Sequence, residues 1–138
     1  MAFGKAEASN ILESRPQDVA AIAAQLKQMM AIGDKAFLIV YAGDYYVQFY
    51  VIPGGKRLAV EAISNAYLPA KKRIGEDTAA GLAALGFAQP LSDANFTMDY
   101  ELTGEADFTV LAVMALAALY EVYRCPQDER LSFELNQA

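Results

Sequence analysis

The sequence predicts an α+β fold, in which helices flank an antiparallel sheet made of a three-stranded meander plus one or two further strands. Three observations predict it. Apolar residues recur at helical spacing before residue 33, a strand-rich stretch with two short turns covers 37–63, and a strongly apolar helix covers about 105–124. The chain of 138 residues has the length of one domain, and we expect residues 1–138 to form it.

The first clear element is a helix that begins near residue 14. Residues 1–13 show little periodicity, so we expect a loose or partly helical lead-in there. Ser14 and Gln17 have the spacing of a capping box, and Pro16 suits a first helical turn. The helix is expected to end at Gly33, after an apolar stripe at helical spacing: Val19, Ile22, Ala23, Leu26, Met29 and Met30.

The meander comes next. Residues 37–41, 45–52 and 58–63 are dense in β-branched and aromatic residues, and glycine-containing turns separate them. The short connections predict that the three strands pair antiparallel in sequence order.

The second half of the chain alternates between helix and strand. A short helix is predicted over 76–85, and a strand over 96–102, where apolar and polar residues alternate strictly. The last helix is predicted over 105–124. Residues 86–88 are a candidate for a further strand, and 131–135 could add a strand at an edge of the sheet. The predicted order is α-β-β-β-α-β-(β)-α.

Composition excludes several functions. The chain has no His and a single Cys, which excludes His-based catalytic groups, an intrachain disulfide and multi-thiolate metal sites. The net charge of −6 disfavours nucleic acid and anionic membrane surfaces as partners. Because the first residues lead into polar sequence, we expect a cytoplasmic protein. Hydrophobic residues form 55% of the chain, above the usual 45–50% or so, which favours binding or self-association.

No motif for catalysis, a cofactor or a metal ion is found. Cys125 follows the last helix, where carbonyl dipoles disfavour a thiolate, so we interpret it as structural. Asp99 and Glu101 share one face of a strand, and Glu61 could join them across the sheet. Acids that alternate along a strand more often face solvent than act in acid–base catalysis, which would need a desolvated pocket.

The strand at 45–52 provides the candidate binding residues. If its apolar positions Val47, Phe49 and Val51 face inward, its aromatic and polar positions face outward. Tyrosines combine apolar area with a hydroxyl group and are common at interfaces. We therefore predict a protein-binding face that includes the following residues of two adjacent strands: Tyr46, Gln48, Tyr50, Glu61 and Ile63.

Several segments between about residues 36 and 124 have a familiar sequence. They are Tyr-Tyr-Val-Gln-Phe-Tyr at 45–50, Glu-Ala-Ile-Ser-Asn-Ala-Tyr-Leu at 61–68, the Leu-Gly-Phe corner within 82–90, Asn95-Phe96, and the helix at 113–124. Together they resemble the YbjN / TY-Chap family of small bacterial proteins, which are similar in fold to type III secretion chaperones.

This resemblance implies a non-enzymatic module, often dimeric, that binds segments of partner proteins through the sheet edge and its apolar surface. Two other hypotheses remain open. The chain could be a structural or regulatory homodimer that has no client protein, or a small enzyme that works with carboxylates alone.

Overall fold

The computed structural model describes residues 5–138, so residues 1–4 of the predicted lead-in lie outside the described residues. A short 3-10 turn covers Ala70–Lys72, and a π-helical turn covers Ala117–Val122. The other elements are α1 (Lys5–Ser14), α2 (Pro16–Ile32), β1 (Ala36–Ala42), β2 (Tyr45–Val51), β3 (Arg57–Ala62), α3 (Glu76–Leu85), β4 (Phe96–Glu101), α4 (Ala106–Leu116) and β5 (Leu131–Gln137).

The five strands form one antiparallel sheet in the order β4-β3-β2-β1-β5, which confirms the predicted α+β class and the meander. The fifth strand is the C-terminal one, and it pairs with β1 along its whole length. The candidate strand at 86–88 is wrong, since only Ala88 forms an isolated bridge, to Thr97 of β4. Gly86 before this segment is in the left-handed conformation, and Pro90 after it has no N–H group to donate. The pairing is therefore limited to one position.

The helices pack on one face of the sheet. Val47, Phe49 and Val51 are fully buried on that face, as the sequence predicts. Residues 111–120 of α4 and the turn that continues it are all buried, between the sheet, α2 and α1. This strongly apolar helix is therefore buried in the protein's own core.

The predicted capping box at the start of α2 is wrong. Ser14 ends α1, and Arg15 takes the N-cap position without a side-chain hydrogen bond to the helix. Arg15 instead donates to Asp18 at 3.0 Å and to the carbonyl of Gln127 at 2.7 Å, and its guanidinium lies 3.3 Å from the centroid of the Tyr120 ring. Arg15 thus ties the α1–α2 junction to the segment that leads into β5.

Pro16 begins α2 as predicted, because the first helical turn does not need its missing N–H group. The last helix is predicted over 105–124, but its α-helical part ends at Leu116 and the chain continues as the π-helical turn. Within residues 5–138, no helix combines the length and the apolar character needed to cross a membrane.

Candidate functional site

The face of the sheet opposite the helices forms the candidate site, and we call it the open face. Side chains alternate between the two faces of a strand, so the positions between the buried residues of β1 and β2 point to this side. They are half-buried, and Phe37, Ile39, Tyr41 and Tyr50 lie outside the core cluster. The described helices make their sheet contacts from the other side, which leaves this face uncovered within residues 5–138.

The centre of the open face is a strip of large side chains on the two adjacent strands β1 and β2, which we call the apolar strip. Antiparallel register sets its members directly opposite one another, at a separation where cross-strand side chains touch. The Tyr41 and Tyr46 rings, for example, meet edge to face with their centroids 5.8 Å apart. The strip consists of three pairs: Phe37 with Tyr50, Ile39 with Gln48, and Tyr41 with Tyr46.

Acidic side chains border the apolar strip on both sides. Glu134 of β5 lies opposite Ile39, and Glu61 of β3 lies opposite Gln48, so one row across the sheet has a carboxylate at each border. Further out on β4, Asp99 forms an ion pair with Arg57. Arg57 is thus a paired cation on this acidic surface.

A buried amide holds one end of the open face in place. The side-chain nitrogen of Asn95 donates to the Tyr46 hydroxyl at 3.0 Å and to Glu61 Oε1 at 3.2 Å. The side-chain oxygen of Asn95 accepts the backbone N–H of Ser64 at 2.9 Å. Asn95 is only 7% exposed, so these hydrogen bonds fix the positions of two of the predicted binding residues.

The structure brings together four of the five residues predicted as the binding face. Tyr46, Gln48, Tyr50 and Glu61 lie on adjacent strands of the open face. Ile63 does not join them as a surface residue: it follows β3, is 4% exposed and belongs to the core. It is buried because its position lies past the end of the strand, where the alternation of faces no longer decides exposure.

Sequence reasoning missed the contribution of β1. Phe37, Ile39 and Tyr41 form half of the apolar strip, yet the run at 37–41 is apolar at every position, so its period does not distinguish an inner from an outer face. A strand that is apolar on both faces, within a sheet that has few helices to cover it, is the signal that could have identified them.

The outer edge of β5 is a second exposed feature. Within residues 5–138, β5 pairs with β1 on one side and with no strand on the other. Its Phe133 side chain remains 36% exposed. The opposite edge of the sheet is partly closed, because Ala88 pairs with Thr97 of β4. An unpaired strand edge offers backbone N–H and C=O groups to another chain.

A surface cavity of about 430 Å³ lies beyond the end of β3, beside α3. Asn65 fixes one side of the cavity. Its side-chain nitrogen donates to the carbonyl of Ile74 at 2.9 Å, and its side-chain oxygen accepts the backbone N–H of Ile74 at 2.7 Å. The exposed Leu91 and the buried Phe96 also line it. The lining also includes two carboxylates, Glu76 and Asp93, but both are exposed to solvent, so the cavity does not supply the desolvated environment that acid–base catalysis needs.

The groups that could support catalysis are not arranged for it. Asp99 and Glu101 are exposed on β4, while Glu61 is bonded to Asn95. Cys125 is buried, and burial, followed by the nearby Glu129 carboxylate, raises the pKa of its thiol to about 11. It is therefore a neutral thiol at pH 7, as predicted, although burial is the main cause. Among the described residues, no group of His, Cys, Asp and Glu could hold a metal ion.

In the part of the chain that the structure describes, an α+β domain presents an apolar sheet face without a helix over it and a strand edge without a partner, which are the surfaces that protein-binding modules use. The comparison with protein families agrees. The family model described as T3SS (YopN, CesT) and YbjN peptide-binding chaperone 3, or TY-Chap3, matches residues 17–137, so the chain belongs to this family of peptide-binding chaperones. No match was found among curated proteins or among solved structures. The family indicates a role in binding rather than in catalysis.

Proposed function

We propose that this protein binds a segment of a partner protein on the open face of its sheet and at the outer edge of β5, without catalysing a reaction. The observation that carries the proposal is the apolar strip, where large side chains stay half-buried with no helix of residues 5–138 packed over them, although the protein has a complete core on the other face of the sheet. Contiguous apolar surface of this kind costs solubility, and soluble proteins keep it mainly where a partner covers it. Membership of a peptide-binding chaperone family supports the same function.

The two features suit two parts of one bound segment. Aromatic and aliphatic side chains of the partner gain most by covering the strip, since burial of apolar area drives such association. An extended part of the partner gains backbone hydrogen bonds by pairing with the outer edge of β5. Protection of β5 amide groups against hydrogen exchange in a complex would identify this second contact.

The strip is tested by removing one of its aromatic pairs. We expect the Phe37→Ser, Tyr50→Ser double variant to bind at least about tenfold more weakly than the wild type, because interface aromatics often contribute 1.4 kcal/mol or more. The probe is a peptide selected on the wild type from a displayed random library, and fluorescence anisotropy gives Kd. Neither side chain belongs to the core cluster, so we expect the double variant to fold. A melting temperature close to that of the wild type would confirm this.

Tyr67→Ser provides the matched control, since Tyr67 is 58% exposed in the loop after β3 and is not part of the strip. Its Kd should equal that of the wild type. The proposal is wrong if the library yields no binding peptide, or if the double variant and the control bind equally well.

Self-association is a second candidate function, favoured by the unpaired edge of β5 and the exposed Phe133 ring. In a homodimer of this kind, two β5 edges would pair and cover both rings. Light scattering should then give twice the mass of one chain for the wild type. The Phe133→Thr variant, which keeps a residue suited to strands, should give the mass of one chain. A wild type that is monomeric at high concentration excludes this candidate.

A further inference from the structure

The arrangement of charge on the open face specifies the chemistry of the segment that binds there. Glu134 and Glu61 lie in one cross-strand row on opposite sides of the apolar strip. Asp99 and Glu101 extend the acidic border on the β4 side, and Arg57 is the cation already paired there. A partner is therefore met by apolar area in the middle and by negative charge on both flanks.

The spacing of the two borders limits the shape of the partner. β5 and β3 are separated by three strand spacings, or about 14 Å at roughly 4.8 Å each. An α-helix with its side chains is about 10–12 Å wide, so a helix lying along β1 and β2 would reach both borders. An extended strand is only about 5 Å wide in the plane of the sheet and would reach one border at most.

We propose that the open face binds an amphipathic α-helix with an apolar stripe and with Lys or Arg on both sides of that stripe. The proposal rests on the proposed function and names the partner class of the same site. The stripe covers the apolar strip, and the basic flanks meet Glu134 on one side and Glu61 on the other. Lys and Arg carry long aliphatic stems that also cover apolar area beside the stripe.

The same charges disfavour a second copy of this chain on the open face. Two open faces placed together would bring their acidic borders into contact, and like charges at an interface oppose association. The net charge of −6 adds to this repulsion. Charge complementarity thus selects a basic segment from another protein.

The test compares three designed peptides of about 18 residues, a length that allows a helix to form. The first has a Leu stripe flanked by Lys, the second replaces each Lys with Glu, and the third has the Lys composition with a central proline that breaks the helix. We expect the first to bind at least about tenfold more tightly than either of the others at low ionic strength, and its affinity to fall as salt rises.

Variants of the protein locate the effect. The Glu61→Gln, Glu134→Gln double variant should bind the Lys peptide about three- to tenfold more weakly. It should bind the Glu peptide more tightly than the wild type does, because two like charges are removed. Glu13→Gln is the matched control, because Glu13 is exposed on α1, away from the open face. The Kd of this control for the Lys peptide should stay at the wild-type value.

The outcomes separate this inference from the proposed function. If the Phe37→Ser, Tyr50→Ser variant loses peptide binding but the Lys and Glu peptides bind equally well, the charge preference is wrong and the proposed function stands. If the proline peptide binds as tightly as the helical one, the helical shape is wrong. If no peptide binds at the open face, both proposals fail, and a dimer that open-face substitutions dissociate would identify a second copy as the occupant.

Discussion

Replacing Phe49 with Ala should lower the free energy of unfolding by about 3–5 kcal/mol, the usual range for removing a buried phenyl ring. Phe49 is fully buried, and β2 is the central strand of the five-stranded sheet. The ring lies in the core between the sheet and the helices, so its loss leaves a cavity that the surroundings close only in part. Domains are stable by only about 5–15 kcal/mol, so this is a large fraction of the total.

Urea denaturation of the wild type and the variant measures this effect. Phe133→Ala is the matched control, because the Phe133 ring is 36% exposed on an edge strand and should contribute far less. Phe49→Leu, which keeps most of the volume, should lose about 1.5 kcal/mol or less. If Phe49→Ala lowers the free energy of unfolding no more than Phe133→Ala does, the placement of Phe49 at the centre of the core is wrong.

Replacing Asp107 with Asn should lower the free energy of unfolding by about 2 kcal/mol at pH 7, because hydrogen bonds to a charged group contribute more to stability than hydrogen bonds between neutral groups. Asp107 is 9% exposed in the first turn of α4. Its carboxylate accepts the backbone N–H groups of Thr103 at 2.6 Å and Gly104 at 2.9 Å, and the Tyr100 hydroxyl at 2.9 Å. An Asn amide would turn one acceptor oxygen into a donor that faces other donors.

The effect should depend on pH in a defined direction. Burial alone would raise the pKa of Asp107, but the hydrogen bonds from Thr103, Gly104 and Tyr100 outweigh it, and the pKa lies below the usual value. A carboxyl group with a lowered pKa stabilises the fold above the pKa of the unfolded chain, near 4, and this stabilisation is lost as pH falls through the folded pKa. The difference in the free energy of unfolding between the wild type and Asp107→Asn should therefore have its full value at pH 5–7 and become smaller below about pH 4.

Urea denaturation at pH 7, 5 and 3 checks this prediction. Asp128→Asn serves as the control, since Asp128 is exposed in the loop before β5 and should change stability by less than about 0.5 kcal/mol. A difference between wild type and Asp107→Asn that stays constant down to pH 3 would contradict the assigned role of the charge.

The candidate site was only partly accessible to sequence reasoning. The alternation of residues 45–52 identified the outward positions Tyr46, Gln48 and Tyr50, because one face of that strand is wholly apolar. It placed Glu61 beside them through the short connection to β3. It could not find the β1 half of the apolar strip, because the run at 37–41 is apolar at every position. It could not find Glu134 either, because the place of that residue depends on pairing with a strand from the far end of the chain.

The sequence by itself determined the element types and the meander, because periods of two and 3.6 residues and short glycine turns are local properties. It also determined that the helix after residue 105 must be covered on more than one side, since that helix is apolar nearly all round. Only the tertiary structure decided that β5 pairs with β1, that the helices share one face, and that Ile63 is covered. Those outcomes depend on packing between residues far apart in the chain, where many partners satisfy the same local pattern. The open face and its acidic borders exist because the packing of residues 5–138 places their helices on the other side of the sheet.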